Sequence, residues 1–228
     1  MSPAQPSTSG LVVLGAVWIA YFAVHSVLAS LAVKGWVERR WPSLVPAYRL
    51  VFNAVAVLLL APALGLMYGL HGPWLWAWEG NWGLVAGTLN ALALGGFAWS
   101  LRWYDGSEFL GLRQWRRRER SVLDQERFHL SPLHRYVRHP WYALGLVLVW
   151  ARDMDAARLV SAVLITAYFV VGSRLEERKL IRYHGAVYAR YRERVPALLP
   201  LPWRTLSSRE AEELAHQATA ECSGPDGL

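Results

Sequence analysis

Apolar residues in this chain come in long blocks separated by shorter polar stretches. Three blocks, Leu11–Val33, Tyr48–Leu70 and Gly83–Trp103, each reach the roughly 20 residues needed to cross a bilayer as a helix. Two further runs, Tyr142–Trp150 and Leu159–Gly172, are joined by the polar turn Ala151–Arg158 and read as a helical hairpin. Its first arm, about 10–12 residues at 1.5 Å each, is short for a full span. After Gly172 the pattern becomes that of a charged helix, Ser173–Arg194, which Pro196 and Pro200 end. The pattern predicts an all-α polytopic integral membrane protein with about five transmembrane helices, the last two a short hairpin, and a cytoplasmic C-terminal helix. Residues 1–206 are expected to form one membrane-embedded domain. Residues 207–228 read as a polar tail with one or two amphipathic turns that then frays.

Composition agrees with that reading. Of 228 residues, 54% are hydrophobic and only 18% charged, outside the usual balance of a soluble globular domain. The net charge of +7 points to positively charged membrane loops and anionic lipid headgroups as partners, not to nucleic acid. The Arg-rich stretches sit beside apolar blocks and carry no nucleic-acid-binding motif. The lone Cys222 excludes an internal disulfide, and no Cys/His spacing suits a metal. The first ten residues contain no Lys or Arg, so the first block reads as a retained span, not a cleaved signal. The loops Lys34–Arg49 and Arg102–Arg138 are basic, whereas the loop His71–Trp82 has neither Lys nor Arg and contains Trp74, Trp76, Trp78 and Trp82. The positive-inside rule then places the amino terminus outside a bacterial inner membrane and the carboxy terminus in the cytoplasm. The Arg116–Arg120 cluster reads as a headgroup anchor and the Trp-rich loop as an interfacial belt.

Candidate chemistry concentrates around the hairpin. Pro140 disfavours helical backbone at His139 and opens the next helix, so Arg138-His139 sits at an extended helix entry. Free N–H groups and the helix dipole favour an anion there, and Arg138 adds a planar donor for a carboxylate or phosphate. The competing reading is an Arg/His pair reaching lipid phosphates. Glu176 and Glu177 follow the second apolar arm and point to different helix faces. Glu177 shares a face with Leu180, His184, Tyr188 and Tyr191. A carboxylate here could bind an ammonium or a ribose hydroxyl, or it could belong to a surface network with Arg178 or Arg182. Gly185 suggests a close approach or a break between Ser173–His184 and Ala186–Arg194. An anion holder and a carboxylate together suit an amino-acid-like ligand, and the spacing specifies no more than that.

At these residues the chain resembles the isoprenylcysteine carboxyl methyltransferase superfamily. The resemblance rests on Tyr136-Val137-Arg138-His139-Pro140-Trp141-Tyr142 and Leu175-Glu176-Glu177-Arg178-Lys179-Leu180, with Gly185, Tyr188, Tyr191 and Arg194-Val195-Pro196 beyond. Upstream, Ala23-Val24-His25-Ser26-Val27 and Phe109-Leu110-Gly111-Leu112-Arg113-Gln114 are similar to the bacterial methanethiol S-methyltransferase and NnrU-like branch, without that branch's extra amino-terminal span. The resemblance covers roughly residues 20–202. It implies a membrane methyltransferase that holds S-adenosyl-L-methionine in a cytoplasmic-side pocket within region 126–196 and methylates a small thiol or lipophilic acceptor. Carried onto this sequence, the cofactor set is His134, Arg138, His139, Pro140, Trp141, Tyr142 and Glu176, with Phe128–His134 wrapping the adenosine. Candidates for acceptor-side chemistry are Glu177, Arg174 and His25. The chain departs from the family pattern at Pro132-Leu133-His134, where Gly-x-Tyr is usual, at Leu144, where Gly is usual, and at Gly172, where the prenylcysteine enzymes carry Arg. Rival readings are a lipid or isoprenoid methyltransferase, a non-catalytic NnrU-like accessory protein, and an NADPH-linked sterol-reductase-like relative. The Arg-His-Pro and Glu-Glu motifs argue against the last.

Overall fold

The computed structural model describes residues 5–121 and 130–222. The first residues of region 126–196 and of the Phe128–His134 segment fall outside them. The described chain is all-α: α1 (Thr8–Ala29), α2 (Leu31–Arg40), α3 (Tyr48–Gly69), α4 (Gly80–Ser100), α5 (Gly106–Leu110), α6 (Leu112–Arg117), α7 (Pro140–Trp150), α8 (Ala156–Arg194) and α9 (Ser208–Cys222). Short 3-10 turns occupy Pro42–Ala47, Leu101–Trp103 and Pro132–Arg135. Four helices, those containing α1, α3, α4 and α8, are long and apolar enough to cross a membrane, and α7 is a shorter apolar helix. The protein is a multi-pass membrane protein.

Three elements differ from the sequence expectation. The first apolar block is broken at Ser30, whose side chain donates to Val27 O (2.7 Å) and accepts from Val33 N (3.3 Å), ending α1 and starting α2. The second hairpin arm and the charged helix are one helix, α8, because a change from apolar to charged side chains leaves the backbone hydrogen bonds intact. Its interruption falls at Gly185 (φ 46°, ψ −126°), where a break was expected. The tail forms α9, a 15-residue helix. Ser207 and Glu210 cap its start reciprocally, and Ala211, Leu214 and Ala218 follow at helical spacing.

The chain divides into two compact units. The first combines Met1–Ala86, Tyr104–Gln125 and Arg152–Ile165. Leu14 and Trp18 of α1 pack with Ala63 and Met67 of α3 and Ala157 of α8, and Trp18 Nε1 donates to the buried Ser161 Oγ at 2.9 Å. The Trp-rich loop holds the turn before α8. Trp76 pairs with Met154 through the backbone, and Trp78 donates to Asp153 Oδ1 (2.8 Å) and Arg152 O (3.1 Å). Trp74 and Trp82 remain exposed.

In the same unit, Gly111 (φ +87°) links α5 to α6 against the start of α3. A Cβ there would lie 2.6 Å from Leu50 N, which is backbone and cannot give way. Both the backbone angle and the contact therefore demand glycine. Gly111→Ala is expected to lower the thermal midpoint and the unfolding free energy by at least about 2 kcal/mol, measured in detergent micelles. An unchanged midpoint would show that α5 and α6 can lift off α3 without cost.

The second unit comprises Gly87–Trp103, Glu126–Ala151 and Thr166–Leu228. Its core gathers Tyr188, Tyr191, Val195, Leu206 and Ala211. α7 is fitted by two glycines: Leu144 Cδ2 lies 3.1 Å from where Gly96 of α4 would carry a Cβ, and Phe169 of α8 takes the equivalent place at Gly145 (3.0 Å). The glycine that makes room for the departure at Leu144 thus sits on the neighbouring helix.

Candidate functional site

The second unit brings Arg138, His139, Tyr142, Glu176 and Glu177 together. Pro140 opens α7, and His139 before it is non-helical (φ −122°, ψ 72°). The extended pair is held by backbone bonds, Arg138 N to Pro196 O (2.9 Å) and His139 N to Ala197 O (3.0 Å). α8 ends just before, because Pro196 has no N–H and disfavours helix at Val195. Its last carbonyls then need donors.

Arg138 supplies them. Its Nη1 donates to Arg192 O (2.9 Å) and Val195 O. On its other edge, Nε (2.8 Å) and Nη2 (2.7 Å) both reach Glu177 Oε1. The guanidinium is therefore turned inward, neither towards lipid nor towards an open anion site. His139 Nε2 also approaches Glu177 Oε1 (3.1 Å), and Nδ1 lies 3.5 Å from Glu176 Oε2. The two adjacent carboxylates differ in role: the Glu177 side chain is 9% exposed and engaged by both Arg138 and His139, whereas that of Glu176 is 35% exposed. Tyr142 Oη donates to Glu176 Oε2 at 3.4 Å. The Tyr142 ring stacks on His139 (5.4 Å, 13° between planes) and on Phe169 (4.7 Å, 6°).

Burial favours a neutral imidazole at His139, but hydrogen bonds to Glu176 and Glu177, and their charges, outweigh it and hold the pKa above its usual 6.5. A pKa raised on folding gives stability that is fully present below pH 6.5 and is lost as pH rises through the higher folded value. Thermal unfolding in detergent between about pH 6 and 9 is expected to show this decline, and His139→Gln should flatten it. An equally steep decline in the variant would assign the effect to another group.

The remaining candidates sit as follows. His134 Nδ1 lies against Ser131 N (3.1 Å) and Oγ (2.8 Å) in a capping box, and His134 O accepts from Tyr191 Oη (2.7 Å). Trp141 Nε1 donates to the buried Ser100 Oγ at the end of α4 (2.9 Å). Arg174 is exposed, and Gly172 faces Tyr142 Oη, 3.7 Å from where a Cβ would stand. His25 belongs to the first unit, against Phe52 (5.0 Å) and Tyr21 (5.9 Å). Ser100, Phe169 and the carbonyls of Arg192 and Val195 are new to the site. Two of them are backbone atoms with no sequence signal. Ser100 and Phe169 lie in apolar blocks where packing is the ordinary reading.

Fold and site define a multi-pass all-α membrane protein with a paired-carboxylate cluster between a proline-started short helix and a long one. Among characterised proteins, the methanethiol S-methyltransferase of Mycobacterium tuberculosis is 32% identical over 210 residues, covering 85% of this chain and 80% of its own. That of a Pseudomonas species is 33% identical over 201 residues (83% and 73%), and that of Crocosphaera subtropica 30% over 190 (77% and 69%). The chain belongs to the bacterial methanethiol S-methyltransferase branch of the isoprenylcysteine methyltransferase-like family. No family model matches it, and no solved structure matches it.

Proposed function

We propose that this protein is a membrane S-adenosylmethionine-dependent methyltransferase acting on a small thiol. The observation that carries the reading is the half-open Glu176 carboxylate, presented with the Tyr142 hydroxyl beside a stack of three rings. A carboxylate suits an ammonium or ribose hydroxyl, and aromatic faces suit a cationic sulfonium. Residues that would hold the donor are His139, Pro140, Trp141, Tyr142 and Glu176. When bound, S-adenosylmethionine supplies an electrophilic methyl group, and a thiol acceptor attacks as its thiolate.

The protein's own part is orientation in a sheltered site. Glu177 clamps Arg138 and His139 and so fixes the start of α7 against α8. With Glu177 buried against Arg138 and His139, Glu176 is the carboxylate of the pair left more open to meet a ligand. The basic loops support an amino terminus outside a bacterial inner membrane and a cytoplasmic carboxy terminus.

Calorimetry of S-adenosylhomocysteine with the purified, detergent-solubilised protein tests the reading, followed by methyl transfer to methanethiol and larger thiols. Binding and preferential methylation of the smallest thiol are expected. Absence of binding would sink the methyltransferase reading and favour an accessory role; binding with transfer only to lipophilic acceptors would replace the thiol.

A further inference from the structure

We infer that α2, the turn Pro42–Ala47 and α6 form a surface that selects anionic phospholipid headgroups. The proposal rests on the first unit and is independent of methyl transfer.

The three elements sit together at one end of the helical pair α1 and α3. The Tyr48 hydroxyl at the start of α3 donates to Leu28 O near the end of α1. α5 and α6 are fastened to that same end by Asn53 Nδ2 donating to Phe109 O (3.0 Å) and by the tight contact of Gly111 with Leu50. The assembly is thus anchored where α1 and α3 reach the membrane–water boundary.

Two kinds of outward side chain suit a headgroup layer. Trp36, Trp41 and Trp115 are exposed, Trp36 and Trp41 meeting edge to face at 4.6 Å. Indole rings of this kind favour the headgroup layer. Arg39, Arg40, Arg116, Arg117, Arg118 and Arg120 are also exposed. The carboxylates in and flanking α5 and α6 do not neutralise them, because Asp105 (3.2 Å), Glu108 (2.7 Å) and Glu119 (3.8 Å) all gather on Arg113. Around α5 and α6 opposite charges are therefore sorted, acids to Arg113 and the other guanidinium groups outward, while α2 carries one acid, Glu38, against Arg39 and Arg40. Arg118 goes further, since it ends α6 in the left-handed conformation (φ 51°, ψ 47°) that glycine adopts without strain, yet carries a cation there. A guanidinium binds phosphate through two donors at once, and a row of them beside indoles complements a layer whose phosphates carry no compensating ammonium.

The test uses the full chain in neutral detergent micelles, titrated with phosphatidylglycerol or phosphatidylcholine while the thermal midpoint and bound lipid are read, the latter by native mass spectrometry. Phosphatidylglycerol should bind with about tenfold higher apparent affinity than phosphatidylcholine and raise the midpoint by several degrees. That preference should fall sharply at about 0.5 M NaCl. Replacing Arg116, Arg117, Arg118 and Arg120 by Gln should abolish the preference, and replacing them by Lys should keep most of it. If the Gln quadruple fails to fold, Arg39→Gln/Arg40→Gln in the same assay should reduce the preference several-fold. Equal binding of both lipids, or undiminished preference in the Gln variants that fold, overturns the proposal. So does an equal midpoint shift with glycerol phosphate alone, which would mark a soluble-phosphate site, or tighter binding of duplex RNA than of phosphatidylglycerol.

Discussion

Glu177→Gln is expected to lower the unfolding free energy by roughly 3–5 kcal/mol, the usual cost of removing one partner from a buried ion pair. The carboxylate is the shared partner of Arg138 and His139, and both side chains are largely buried. The amide is nearly isosteric, so the loss comes from charge left without its counterpart and not from a cavity. Arg138 would keep its bonds to Arg192 O and Val195 O but lose its anion. Removing both ends, as in Arg138→Met/Glu177→Leu, strands no guanidinium but strips Val195 O of its donor, so it should cost about as much as the single Gln change. Denaturation in detergent, followed by circular dichroism, measures both. A Gln variant within about 1 kcal/mol of the wild type would show that water reaches the pair and that Glu177 is free for other work.

Glu176→Gln, one residue away, is expected to behave in the opposite sense. Under the proposed pocket it should weaken S-adenosylhomocysteine binding by roughly tenfold to a hundredfold, the worth of a hydrogen bond to a charged group. The thermal midpoint should barely move, since the carboxylate is half open and its protein contacts, at 3.4 and 3.5 Å, are long. Calorimetry and a melting curve on one preparation separate the two effects. Unchanged affinity in a well-folded Gln variant would remove Glu176 from the donor site.

The spans and the meeting of the two motifs were legible in the sequence because each follows from a simple count. Hydrophobic length marks a helix that crosses a bilayer, and a short hairpin must return Glu176-Glu177 to the level of Arg138–Tyr142. The break at Ser30 was hidden because a capping serine does not interrupt a hydropathy block. The continuity of α8 was hidden for the opposite reason: composition changes at Gly172 while the backbone does not. Which of two neighbouring carboxylates turns inward depends on about 100° of helix rotation, finer than periodicity resolves. The partners of Arg138 are carbonyls exposed by Pro196, so its inward turn follows from a helix ending and from no side-chain motif.

The unbroken stretch of α8 from its apolar part to Glu177 acts as an indexing shaft. Every residue added between Gly172 and Glu176 would turn the carboxylate pair by about 100° and advance it by 1.5 Å. One inserted alanine would aim Glu177 away from Arg138, whereas four would bring it back to within about 40° but about 6 Å further along. The angular setting of the pair is therefore counted from the membrane, residue by residue, and that count tolerates substitution far better than insertion or deletion.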